Sequence, residues 1–293
     1  MDGGALGAPL GTYRMDSHLR VMTPNDIPAG MRLKEMAGWN QTRGDWERFL
    51  RASPQGCFVA ETDGEVVGSA ATISYEGRFA WIGMVLVDHQ RRGLGIGTKL
   101  LEKAIEYLGG CGIPTVKLDA TPQGRLLYEK LGFVSEYEIE RWQLPRTPAP
   151  GATVGASSVT EEMLDRDREI FGADRSALLS SIAIEHPALV LQIRKEGKLT
   201  GYSFGRRGAL ADHLGPWVAQ DESSAHDLLD EFLHRSCGEK VFVDGMRNSP
   251  WAMKLLRERG FRYSRSLTRM YRGRNDFPGR PELQGAILGP EFG

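Results

Sequence analysis

The stretch Val85-Leu86-Val87-Asp88-His89-Gln90-Arg91-Arg92-Gly93-Leu94-Gly95-Ile96-Gly97-Thr98-Lys99-Leu100-Leu101 decides how this chain of 293 residues is read. An apolar run ends at Val87, glycines alternate from Gly93 to Gly97, and apolar residues at helical spacing follow (Leu100, Leu101, Ala104, Ile105, Leu108). That order is strand, tight turn, helix start. Successive backbone N–H groups of a glycine-rich turn converge, and the first turn of the next helix adds unpaired donors and the positive end of its dipole. Such a turn binds phosphate, and Arg91 and Arg92 add charge. Glycine suits it by taking positive φ and by letting a ligand reach the main chain.

Two better-known phosphate loops do not fit. The dinucleotide fingerprint G-x-G-x-x-G needs glycine where Thr98 stands, and no acidic residue is placed on a following strand to hold a ribose. A Walker loop needs Gly-Lys-Ser/Thr, whereas Lys99 here follows Thr98. What fits is R-x-x-G-x-G (Arg92, Gly95, Gly97) directly behind Val-Leu-Val, with an overlapping copy from Gln90. This resembles the pyrophosphate loop of the GNAT superfamily of acyl-CoA N-acyltransferases. The resemblance implies an α/β (α+β) fold: a mixed, largely antiparallel sheet with flanking helices and a splayed pair of parallel strands. It also implies acetyl-CoA as acyl donor, its pantetheine arm along the main chain of Val85, Leu86 and Val87. The pyrophosphate would then rest on Arg92, Gly93, Leu94, Gly95, Ile96, Gly97 and Thr98. A main-chain N–H of the strand would polarise the thioester carbonyl.

A second stretch, residues 121–133, reads as a short helix closed by Gly132 and followed by a strand. It resembles the family's N-x-x-A-x-x-x-Y-x-K-x-G-F segment: Tyr128, Lys130, Gly132 and Phe133 match, while Thr121 stands at the Asn position and Gly124 at the Ala position. On that resemblance Tyr128 sits near the thioester sulfur and protonates the leaving thiolate, and Thr121, with shorter reach, takes the place of the Asn on the pantetheine arm. Without it, Tyr128 is an ordinary packing residue with its hydroxyl at the surface. Asp119 and Glu61 are the nearest carboxylates by strand position to deprotonate an amine through water, a structural role being the plainer reading of each.

The length suits two domains of ordinary size. Residues 1–16 are glycine-rich and expected to be disordered, 17–147 form the catalytic domain, and 148–157 are a Pro/Gly/Ala linker. Residues 158–274 look like a second copy of the fold, and 275–293 are a C-terminal tail. The hairpin Asp63-Gly64-x-x-x-Gly68 recurs as Glu196-Gly197-x-x-x-Gly201, and Gly132-Phe133 recurs as Gly260-Phe261. Where the phosphate loop should recur stands Gln220-Asp221-Glu222-Ser223-Ser224, with two carboxylates and no glycine, and the counterpart of Tyr128 is Leu256. The carboxylates repel phosphate, so the second copy reads as degenerate, shaping the acceptor site or bracing the first. The tandem pattern, with residues 171–175 opening the second half and 289–293 closing the chain, resembles a bacterial GNAT subfamily.

A net charge of −1 argues against a nucleic-acid partner, and the cysteines Cys57, Cys111 and Cys237 lack the spacing of a zinc site or disulfide framework. No apolar run reaches a membrane span. The expectation is therefore a cytoplasmic protein without metal, nucleic-acid or membrane partner, a homodimer being left open. Gly201-Tyr202-Ser203-Phe204-Gly205 spells a nucleophile elbow but lacks the helix that must follow its serine. Trp39, Trp81 and Met84 are candidates to line an acceptor pocket, against core packing; Asp174 and Arg175 pair with each other, cap a helix or touch the acceptor. The function expected is N-acetyl transfer from acetyl-CoA to a primary amine of a small molecule or peptide; the alternative is a non-catalytic acyl-CoA sensor or scaffold.

Overall fold

The computed structural model describes residues 17–147 and 158–293, so the expected disordered start and linker lie outside the described residues. The first half runs β1 (His18–Val21), α1 (Ile27–Met36), α2 (Arg43–Ala52), β2 (Cys57–Thr62), β3 (Glu65–Tyr75), β4 (Phe79–Val87), α3 (Ile96–Gly110), β5 (Thr115–Ala120), α4 (Pro122–Lys130) and β6 (Val134–Pro145). The second runs α5 (Glu161–Phe171), α6 (Ser176–Glu185), β7 (Leu191–Lys195), β8 (Lys198–Arg207), β9 (Asp212–Ala219), α7 (Glu222–Arg235), β10 (Lys240–Met246), α8 (Pro250–Glu258), β11 (Arg262–Gly273) and β12 (Gln284–Ala286). From α1 to β6 and from α5 to β11 the two halves repeat one order, as the recurring hairpin and Gly-Phe signals predict; β1 and β12 stand outside the repeat. Ser203 lies buried in the middle of β8 with no helix behind it, which removes the nucleophile elbow.

All twelve strands form one sheet in the order β1-β2-β3-β4-β5-β11-β6-β10-β12-β9-β8-β7. The last long strand of each half pairs only with the other half: β6 with β10 and β11, and β11 with β5 and β6. The boundaries read from composition therefore cut across a continuous sheet. One core also crosses the halves, with Trp46, Phe49, Phe79 and Trp81 packing with Phe171, Tyr202, Phe204 and Phe292.

Two buried ion pairs stitch the exchanged strands. Arg269 on β11 forks onto both oxygens of Asp119 on β5, at 2.9 Å each. Arg141 on β6 does the same to Asp244 on β10, at 2.8 and 2.6 Å. Within the repeat, Val116-Lys117-Leu118-Asp119 corresponds to Val241-Phe242-Val243-Asp244, so these are two copies of one contact.

The tail is structural. Phe292 stacks on Phe49 with ring centroids 4.9 Å apart, Tyr75 donates its hydroxyl to Phe292 O (2.7 Å), and Trp81 Nε1 donates to Pro290 O (3.0 Å). Among the described residues no helix is long and apolar enough to cross a membrane, and no cluster of three or more His, Cys, Asp or Glu is placed to hold a metal.

Candidate active site

β4 and β5 are parallel neighbours only at Ala80↔Val116 and Trp81↔Lys117. Beyond that point they part, and the β5 side of residues 82–87 is left without a ladder partner. A bulge accompanies the parting: the β3–β4 register shifts between Ser69 and Ala71, Met84 sits at φ +53, and Ser69 Oγ donates to Met84 O at 2.8 Å. The bulge turns the main chain of Met84 and Val85 out of the regular strand. A buried non-glycine residue in the left-handed region persists only where its surroundings hold it, and such positions gather at functional sites.

The glycine loop follows. Gly93 (φ +78) and Gly95 (φ +79) take the left-handed region, and a Cβ at either would meet nothing within 4 Å. Conformation, not crowding, requires glycine there. Gly97 differs: it lies inside α3 without positive φ, and a Cβ there would make only ordinary contacts with Val87 and Leu127, at 3.6 and 3.9 Å. The N-cap Gly95 offers no side chain, and the Lys99 N–H donating to Gly95 O (3.1 Å) is the first helical bond. The N–H groups of Ile96, Gly97 and Thr98 therefore point out of the helix start as donors. Arg92 is exposed beside them and donates Nε to Val87 O at 3.3 Å; Leu94 is exposed at the tip of the turn.

On the other bank of the wedge, Thr121 caps α4, its Oγ1 accepting the Gly124 N–H at 3.2 Å. Its hydroxyl proton and second lone pair remain for a further partner. The family's alanine is a glycine here for a visible reason: a Cβ at Gly124 would lie 2.9 Å from the ring of Tyr128. Tyr128 is half-buried, edge-on to Phe133, and its hydroxyl has no hydrogen-bond partner among the described residues. Burial pushes its pKa up to about 12, so it is a neutral proton donor at physiological pH.

A cavity of about 80 Å³ joins the two banks, lined among others by Met84, Val85, Asp119, Tyr128, Arg265 and Glu291. That is the volume of a few water molecules, enough for the reacting end of a substrate. Trp39 also lines it, but Trp81 does not; it lies in the core with the Arg269 guanidinium 4.5 Å over its ring. Glu61 is elsewhere, paired with Arg20 at 2.8 Å on β2. Arg175 forks onto Asp167 (2.8 and 3.0 Å), while Asp174 accepts the Ser176 N–H (2.7 Å) at the start of α6. Neither lines this cavity.

Four lining residues were not expected. Pro290 and Glu291 bring the tail to the cavity wall, Glu291 being held by Arg206 and by Gln41 Nε2 (2.8 Å). Gln41, in the loop between α1 and α2, carries its other amide atom, Oε1, buried without a partner among the described residues. Arg265 has no hydrogen bond or ion pair among the described residues, and its Nε is cut off from solvent. Burial, reinforced by Arg141, lowers the pKa of Arg265. A sequence shows the type of each residue but not which partner it lacks.

Comparison with known proteins agrees with this geometry. The Acetyltransferase (GNAT) family matches residues 29–133, and an Acetyltransferase (GNAT) domain matches residues 163–284. Holothin acyltransferase of Pseudoalteromonas sp. is 27% identical over 260 residues, 87% of each chain. Mycothiol acetyltransferase of Acidimicrobium ferrooxidans is 32% identical over 124 residues, 36% of this chain and 40% of that one. Among solved structures, an acetyltransferase candidate from Pyrococcus horikoshii superposes with a TM-score of 0.79 at 24% identity, covering 98% of this chain and 99% of that one. The chain belongs to the GNAT superfamily, a GNAT-type N-acyltransferase built from two GNAT domains in tandem.

Proposed function

We propose that the first half moves an acetyl group from acetyl-CoA directly to a primary amine of a small molecule or peptide, and that the second half completes the pocket without chemistry of its own. The observation that carries this reading is the opening between β4 and β5, with free helix-start donors at one end and Tyr128 at the other. Acetyl-CoA supplies an acyl group already activated as a thioester. The N–H groups of Ile96, Gly97 and Thr98, with Arg92, hold its pyrophosphate, and the main chain from Val85 to Val87 lines its arm. A main-chain N–H at the Met84 bulge polarises the carbonyl. As the amine attacks the acetyl carbon and the C–S bond breaks, Tyr128 gives its proton to the sulfur. The relatives named for holothin and mycothiol favour a small-molecule acceptor.

Asp119 takes a positioning role in this reading. Both its oxygens are held by Arg269, and its counterpart Asp244 makes the same fork in the half that lacks tyrosine and glycine loop. Glu291 is also held by arginine, so each carboxylate lining the cavity is ion-paired. Proton loss from the amine is then favoured by burial, which disfavours the ammonium form. Thiol release from acetyl-CoA across polyamines, amino acids, aminoglycosides and peptides tests the proposal. Release with one class and its suppression in Tyr128→Phe supports it; tight CoA binding without release by any member leaves a binding protein.

A further inference from the structure

The cavity beside Tyr128 contains two polar groups that the protein does not satisfy, and they are of opposite kind. Gln41 is 5% exposed and its Oε1 is an orphan acceptor. Its orientation is set by chemistry, because Glu291 Oε2 requires a donor and receives Nε2 at 2.8 Å. Arg265 is an orphan donor on the facing strand.

The position of Arg265 costs stability in two ways that the fold does not relieve. It stands directly across the ladder from Arg141, and like charges opposite each other on antiparallel strands repel. Arg141 is satisfied by Asp244, just as Arg269 is by Asp119 and Arg206 by Glu291 and Asp45; Arg265 feels Asp244 and Glu291 at a distance but has no ion pair of its own among the described residues. The β6–β11 register also shifts between Tyr263 and Arg265, a bulge that re-aims the side chain. Buried polar groups in folded proteins are nearly always paired, and the exceptions call for an explanation such as a ligand.

We propose that Gln41 and Arg265 form the acceptor seat and select an amine that also carries a carboxylate, as an amino acid or a short peptide does. This rests on the acyl-transfer reading for its orientation. The planar guanidinium takes the carboxylate through paired hydrogen bonds, and Gln41 Oε1 accepts one hydrogen of the amine, leaving its lone pair for the acetyl carbon. The reaction balances as a simple transfer: the N–C bond forms, the C–S bond breaks, Tyr128 gives its proton to the thiolate, and the proton leaving the amine returns through water to the Tyr128 phenolate. Arg265 comes from β11 of the second half, so the half without chemistry would set the substrate.

The test separates the seat from the chemistry. Wild type and Arg265→Met, saturated with CoA, are titrated calorimetrically with N-acetyl amino acids and N-acetyl dipeptides and with the C-terminal amides of the same compounds. The expected result is that some carboxylates bind wild type about 10- to 100-fold more tightly than their amides, with the preference lost in Arg265→Met and partly kept in Arg265→Lys. Arg265→Met should leave Tm unchanged or slightly raised, since it removes a half-buried guanidinium whose Nε is shielded and unpaired and which faces Arg141. Equal binding of carboxylate and amide, an unchanged preference in Arg265→Met, or no binding by any member overturns the seat. Thiol release, read separately, tells which idea failed. Acetyl transfer without carboxylate preference removes only the seat, and carboxylate selectivity without transfer removes only the chemistry.

Discussion

The two halves build the same wedge and fill it differently. In the first, β4 and β5 part after Trp81 and the space between them stays open beside Tyr128. In the second, β9 and β10 are parallel from Asp212 to Leu214, and where they part β12 of the same chain enters between them, pairing with Val218 and Trp217 on one side and Gly245 on the other. Trp217 fills the remaining space edge-on to Trp251, with ring centroids 5.0 Å apart. The tail passes over matching glycines: a Cβ would lie 2.5 Å from Glu291 O at Gly83 and 1.9 Å from Ile287 O at Gly215. At Gly83 it crosses without pairing to residues 85–87; just before it crosses Gly215 it runs as the strand β12. The helix that follows differs too, since Asp221 caps α7 and accepts the Ser224 N–H at 2.8 Å where Gly95 leaves the α3 donors free. One half thus satisfies its loose backbone internally, and the other leaves it open. A splayed pair demands a third partner; the chain's own peptide meets that demand in the second half, and in the acyl-transfer proposal substrate meets it in the first.

The largest break of that comparison lies at Tyr128 and Leu256. Tyr128→Phe is expected to lower kcat about 100- to 10,000-fold with KM for acetyl-CoA nearly unchanged, measured by thiol release; an unaltered rate removes the tyrosine as the acid. Burial raises the phenol above its ordinary 10.0 to about 12, so it stays protonated until that pH is approached. An alkaline limb assigned to Tyr128 therefore belongs near 12, and one close to 10 that disappears in Tyr128→Phe would contradict the buried phenol. Leu256→Phe in the second half changes packing only and should leave the pH profile as it is.

Next come the two stitches. Asp244→Asn strands Arg141 in the core and should cost about 3–5 kcal/mol by urea unfolding, and Asp119→Asn should cost the same by stranding Arg269. Burial alone would raise Asp244, yet Arg141 and His213 hold it well below the usual carboxylate range. If Asp119 is only a stitch, Asp119→Asn with Arg269→Met recovers most of the stability and a folded, active enzyme. Loss of turnover in that double variant, with stability restored, would return Asp119 to the chemistry.

Gly95→Val forces a β-branched residue to φ +79 and disturbs the α3 start, and a roughly 10- to 100-fold loss of CoA affinity is expected by calorimetry. Wild-type affinity would refute the loop as the pyrophosphate site.

What could be read in advance was local. The strand, glycine turn and helix of residues 85–101, the hairpins at Gly64 and Gly197, and the loss of glycine before α7 all follow from signals a few residues wide. The exchange of β6 and β11 was not legible, because both are long amphipathic strands whose pattern states a face and not a neighbour. The tail escaped for the same reason: Phe292 and Glu291 look like the end of a glycine-rich segment until the core that receives them is known. At the site, Tyr128 was visible because its helix and Gly-Phe stop frame it. Arg265 and Gln41 were not, since what distinguishes them is an absent partner.

The smallest expected effect sharpens the comparison at the caps of α4 and α8. Thr121 accepts the Gly124 N–H, whereas Ser249, in the same place before α8, makes no cap bond and its Oγ is buried without a partner. Thr121→Ala should therefore cost about 1 kcal/mol of stability and Ser249→Ala almost nothing, a difference that shows as a modest gap in Tm. The same Thr121→Ala protein decides a question of binding. If the hydroxyl serves the helix alone, CoA affinity falls little. A tenfold fall, with Tm lowered no further than a lost cap allows, would mean that Thr121 caps α4 with its lone pair and holds the pantetheine arm with its proton.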